Sequence, residues 1–158
     1  MQIIEKSPFV KSADSEDGFF WSIEVKDPAT NRTVATSISP YALLNSLGEE
    51  RGEQELFTCD CGVAECARIY HEKFECTEKY VHWSFVELGT AYSLYFDRIT
   101  YEMAAIEMLH DIYVTKEGWK FNAIEYYSYE DFKSAVDEFL AAKPHFKAIW
   151  DETEEAST

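Results

Sequence analysis

The stretch that decides the fold is Lys79-Tyr80-Val81-His82-Trp83-Ser84-Phe85-Val86-Glu87-Leu88-Gly89-Thr90-Ala91-Tyr92-Ser93-Leu94-Tyr95-Phe96-Asp97. Val81, Trp83 and Phe85 alternate with Tyr80, His82 and Ser84. Beyond Gly89-Thr90, Tyr92, Leu94 and Phe96 alternate with Ser93 and Tyr95. A period of two with one apolar face marks half-buried strands. A connection this short permits only antiparallel pairing. Upstream, Ala67 to Cys76 reads as a third strand, joined through Thr77-Glu78. It is expected to place Tyr70, Phe74 and Cys76 on one face, and Ile69 and His71 on the other. The three strands form an antiparallel meander.

Working outward toward the N-terminus, Phe19, Trp21, Ile23 and Val25 alternate with Phe20, Ser22, Glu24 and Lys26. Asp27-Pro28-Ala29-Thr30-Asn31 is turn chemistry, and a return strand from Arg32 to Ile38 completes a hairpin. Ser39-Pro40 then opens a helix, with Ser39 as cap and Pro40 at the first helical position. Toward the C-terminus, Ile99, Met103, Ile106, Leu109 and Tyr113 follow helical spacing, with Glu102, Glu107 and Asp111 expected outside. Trp119, Phe121 and Ala123 suggest a short extended segment. Ser128-Tyr129-Glu130-Asp131 is a capping signature for a helix burying Phe132, Ala135, Val136, Phe139 and Leu140. Pro144 stops or kinks that helix, and one further turn carries Phe146, Ile149 and Trp150. The fold class is therefore α+β, an antiparallel sheet of hairpin plus meander packed against C-terminal helices. Residues 1–150 are expected to form a single domain, and 151–158 an acidic disordered tail.

Between the first helix and the meander lies Cys59-Asp60-Cys61-Gly62-Val63-Ala64-Glu65-Cys66. Thiolates this close can converge on one ion where glycine lets the backbone turn. Cys59, Cys61 and Cys66 are candidate ligands of a structural zinc. Cys76 is the candidate fourth ligand, with His71 or His82 as the alternative. Reduced thiols packed in a tight turn remain the other reading.

The same stretch resembles short bacterial proteins of unassigned function. These share a CxCGxxxC turn followed by a strand with Val-x-Trp, here Cys59-Asp60-Cys61-Gly62, Cys66 and Val81-His82-Trp83. The resemblance covers about 30 residues. It implies a small cytoplasmic α+β protein and brings no activity with it. The pattern has no cysteine at the place of Cys76.

Composition bounds the function. Thirty acidic against fourteen basic residues give a net charge of −16, which argues against direct nucleic-acid binding. It fits attraction to a basic partner, and the abundant Tyr and Trp suit interface anchors. No apolar run approaches the roughly 20 residues of a membrane span, and no signal-like segment opens the sequence, so a cytoplasmic location is expected. There is no dinucleotide or Walker loop and no GxSxG elbow, so no catalytic residue is assigned and an enzyme is not expected.

The expected function is an acidic protein-binding domain, an inhibitor or immunity-type protein acting on a basic toxin, nuclease or DNA-binding protein. Glu49, Glu50, Glu53, Glu55, Glu102, Glu107, Asp111, Glu130, Asp137 and Glu138 are the candidate partner contacts. One alternative is a metal-dependent hydrolase centred on the cysteine cluster. Another is a DNA-mimic anti-restriction or anti-defence protein, whose carboxylates would be spaced like duplex phosphates. The sequence does not fix an oligomeric state.

Overall fold

The computed structural model describes residues 2–14, 18–48, 51–53, 56–58, 68–116 and 128–157. The strands, in chain order, are β1 (Ile3–Ile4), β2 (Phe9–Asp14), β3 (Gly18–Lys26), β4 (Thr33–Ile38), β5 (Arg51–Glu53), β6 (Phe57–Thr58), β7 (Ile69–Cys76), β8 (Tyr80–Glu87) and β9 (Thr90–Asp97). The helices are α1 (Pro40–Ser46), α2 (Arg98–Thr115), α3 (Tyr129–Ala142) and α4 (Pro144–Ser157). The fold is α+β, as the sequence reading has it.

The meander forms as its alternation requires. Val81 pairs with Phe96, Trp83 with Leu94 and Phe85 with Tyr92 across β8 and β9, and all six are buried. Leu88 and Gly89 close this hairpin at φ 48° and 82°. A two-residue loop of the type I′ kind needs positive φ at both positions. One sheet runs β1-β9-β8-β7-β5, antiparallel except that β1 lies parallel to β9. The second runs β2-β3-β4-β6 and is antiparallel throughout. Its centre is the expected hairpin, with Val25 opposite Val34. Asp27 holds the turn by accepting from the Ala29 N–H at 3.0 Å and the Thr30 hydroxyl at 2.7 Å.

Aromatic rings join the two sheets. Trp83 is fully buried and meets Phe57 edge-on at 5.3 Å between centroids, with Phe9 at 6.3 Å. Tyr101 of α2 closes the cluster, its hydroxyl oxygen accepting from the Trp83 indole at 3.3 Å. Offset and edge-on ring pairs add specific geometry to the apolar area they bury.

The helix caps follow the sequence. Ser39 accepts from Ala42 at the start of α1, and Ser128 from Asp131 at the start of α3. Asp97, the last residue of β9, caps α2 by accepting the Thr100 N–H at 3.0 Å. Pro144 ends α3 and opens α4, since a residue without an N–H fits the first helical position.

Three expectations are corrected. In β7 it is Ile69, not Tyr70, that is buried along with Phe74, while Tyr70 is exposed. A bulge between Tyr70 and Lys73, where His71 has φ 58°, inserts one residue and reverses the alternation. On α2, Ile106 and Leu109 are buried as expected. Ile99 and Met103, however, are 70% and 51% exposed, and the covered face instead includes Tyr101, Ala105, Met108 and Ile112. The acidic segment 151–158, expected as a disordered tail, continues α4 as helix through Ser157. Phe146 and Trp150 bury one side of α4, and Trp150 packs edge-on against His110 and Tyr113 of α2 at 4.8 and 5.2 Å. Tertiary packing of this kind outweighs the poor placement of acids at a helix C-terminus.

Candidate functional site

Among the described residues, most of the exposed acids lie on the helices. α3 and α4 together carry eight acids and two lysines, and all eight acids are exposed. On α3, Glu130 and Asp137 lie seven residues apart, two helical turns, so both project from one side. Phe132, Val136 and Leu140 turn the other side into the core. Asp137 also accepts the Tyr113 hydroxyl at 2.8 Å. That hydrogen bond, with some burial, pushes the Tyr113 phenol up to about 12.

α2 and α4 bound a groove of about 720 Å³, lined by Ser7, Thr100, Met103, Ala104, Glu107, Ile149, Glu152, Thr153, Ala156 and Ser157. Its lining combines apolar Met103, Ala104, Ile149 and Ala156 with the hydroxyl-bearing Ser7, Thr100, Thr153 and Ser157, and its two charged side chains are both carboxylates. Neither the composition nor the spacing points to this groove. Ile99 and Met103, four residues apart, share one side of α2 that the core leaves exposed, while Tyr101, Ala105 and Met108 are buried.

The candidate partner contacts divide. Glu107, Glu130, Asp137 and Glu138 are exposed on α2 and α3. Glu102 is corrected: it is 4% exposed, with Arg98 Nε donating to it at 2.9 Å and His145 Nε2 3.3 Å from both its oxygens. A carboxylate is buried only where cations and donors replace its water, and those two side chains do so. Asp111 is engaged within the fold, accepting from Lys11 Nζ at 3.1 Å and from the Trp21 indole at 2.8 Å. Glu53 lies in β5. Glu49, Glu50 and Glu55 fall outside the described residues, as does the extended segment expected around Trp119.

The candidate metal ligands are not gathered by the described part of the chain. Cys59, Cys61 and Cys66 lie outside it. Cys76 ends β7 half-buried, its thiol 3.6 Å from the Thr77 carbonyl oxygen. Burial pushes this thiol up; nearby Arg98 pulls it down and Glu102 raises it, for a net rise. His71 is exposed in the β7 bulge. His82 lies on the outer face of the sheet, 2.7 Å from the Ser93 hydroxyl and stacked on Tyr95 at 4.1 Å. Burial lowers its pKa, partly offset by Glu75. Among the described residues, no three His, Cys, Asp or Glu side chains sit close enough to hold a metal ion.

No family model, curated protein or solved structure matches the chain. Among the described residues, no helix is long and apolar enough to cross a membrane.

Proposed function

We propose that this chain is an acidic protein-binding domain that occupies the basic site of another protein. Its expected role is that of an inhibitor or immunity-type protein directed at a toxin, nuclease or DNA-binding protein. The observation that carries the reading is the placement of charge. Eight exposed acids and two lysines share two adjacent helices, a local concentration of negative charge. Such concentrations steer encounters with partners of opposite sign and reject partners of like sign.

The experiment is capture of purified basic nucleases, toxins and DNA-binding proteins on the immobilised chain, followed by assay of the captured partner's activity. Retention is expected at about 0.1 M salt and lost at about 1 M, as the screening length falls from about 10 to about 3 Å. A triple variant Glu130→Lys, Asp137→Lys, Glu138→Lys should lose retention at the lower salt as well. Retention indifferent to both changes would sink the reading.

A further inference from the structure

Met103 and Ile149 face the same groove from α2 and α4, and Glu107 and Glu152 flank it. We propose that this groove docks an amphipathic, basic helix of the partner. The helix's apolar stripe would lie on Met103, Ala104, Ile149 and Ala156, and its lysine or arginine flanks on Glu107 and Glu152. This rests on the reading of the chain as an acidic protein-binding domain, and it names the site and the chemistry of what enters it.

Three observations select this occupant. The groove extends from Ile149 to Ser157 along α4, about 12 Å at 1.5 Å per residue, which matches two turns of a docked helix. Its lining offers apolar side chains from both helices, Met103 and Ala104 on α2 and Ile149 and Ala156 on α4, as grooves that receive residues at i, i+3 and i+4 of an amphipathic helix do. Ile99, one turn before Met103 and 70% exposed, lengthens that apolar track. A methionine half in solvent suits such a lining, because its unbranched thioether adapts to the side chain it meets.

The charge decides among occupants. No lysine or arginine lines the groove, and both titratable residues in it are glutamates. A second copy of this chain, related by a two-fold axis, would bring the same two glutamates onto themselves, on a molecule already at −16. An anionic membrane surface would be repelled. A basic helix brings opposite charge to both glutamates while its apolar stripe covers the apolar part of the lining.

The test uses the full chain and three synthetic peptides, each about four helical turns long. The first is a Leu/Lys amphipathic helix, the second replaces every Lys with Glu, and the third scrambles the first so that no apolar stripe forms. Binding is followed by fluorescence anisotropy at about 0.15 M salt, where the screening length is about 8 Å. The Leu/Lys helix should bind and the other two should not. Met103→Asn and the double change Glu107→Lys, Glu152→Lys should each weaken binding about tenfold. Glu24→Lys, at an exposed position of β3 outside the groove lining and outside the candidate partner contacts, should leave it unchanged. Met103 is half exposed, so its replacement is expected to keep the fold, checked by circular dichroism.

Equal binding of the scrambled or acidic peptide, an unaffected Met103→Asn, or no binding by the Leu/Lys helix would overturn the proposal. So would a wild-type dimer that Met103→Asn dissociates. If basic proteins are still captured in a salt-sensitive way by the groove variants, the groove fails while the broader reading stands. If no salt-sensitive capture occurs at all, both fall.

Discussion

Glu72 of β7 accepts the backbone N–H of Phe57 in β6 at 2.9 Å, and the same oxygen accepts the Leu56 N–H at 2.8 Å. One buried carboxylate therefore ties the last strand of the second sheet to the first sheet. Leu56 and Phe57 are fully buried, so removing the carboxylate takes the acceptor from two buried N–H groups. Glu72→Ala should cost about 3 kcal/mol, the penalty for stranding two buried donors. Glu72→Gln keeps an acceptor and should cost about 1 kcal/mol. Urea unfolding at neutral pH measures both, and equal costs would show that the acceptor is not what matters.

Asp111 binds the indole of Trp21 and the ammonium of Lys11, linking α2 to β3 and β2. Its work is therefore internal. Asp111→Ala should lower stability by about 1.5 kcal/mol, typical of a hydrogen bond to a charged group. It should leave salt-sensitive capture of a basic partner intact. Loss of capture at unchanged stability would return Asp111 to the binding surface.

The sequence carried most of the sheet and little of the site. Strict alternation in β3, β8 and β9 exposes which side chains go inside, because a strand shows its period directly. β7 defeats the same reading through one inserted residue at the His71 bulge, which no composition signal announces. β1, β2, β5 and β6 are too short, or too mixed in polarity, to display a period at all. On α2 the apolar spacing fits several faces. Only the positions of β2, β8, β9, α1 and α4 decide that Tyr101 and Ala105 go inward while Ile99 and Met103 do not. The same contingency hides the groove, since its two walls lie more than 40 residues apart in the chain. Glu102 could be recognised as buried only once Arg98 and His145 were seen beside it.

The Cys76 thiol is held above its ordinary pKa, chiefly by burial. More of it stays protonated at any given pH, and the thiolate is the reactive form. Peptide-resolved alkylation with iodoacetamide near neutral pH should modify Cys76 more slowly than an unburied cysteine in a short peptide. Faster modification would mean that Arg98 outweighs burial.

His82 titrates below its usual value of 6.5 because it is partly withdrawn from water. A histidine depressed in the folded state binds fewer protons folded than unfolded. Its contribution is therefore present above 6.5 and lost as pH falls through the depressed value. His82→Gln removes that dependence. The difference in Tm between the native chain and the variant should shrink as the pH is lowered from about 7.5 to about 5. The His82 ring resonances should titrate below 6.5 in the same range. A midpoint above 6.5 would mean that Glu75 outweighs burial.

Asp151 sits in the middle of α4, with two helical turns before it and nearly two after. A proline there removes the N–H that bonds to the carbonyl of Lys147 and drives its ring against that carbonyl. Interior helical proline costs about 3 kcal/mol, and Asp151→Pro should destabilise by about that much, with a loss of helical circular dichroism. Asp151→Ala keeps the backbone bond and should be nearly neutral, since the ion pair with Lys147 is exposed to solvent. The proline also detaches Glu152, Thr153, Ala156 and Ser157 from the groove, so binding of the Leu/Lys helix should fall with it. Were 151–157 a solvated tail, proline at 151 would leave both stability and binding unchanged. The pair of variants thus separates a helix that builds one wall of the groove from an acidic segment that merely follows the fold.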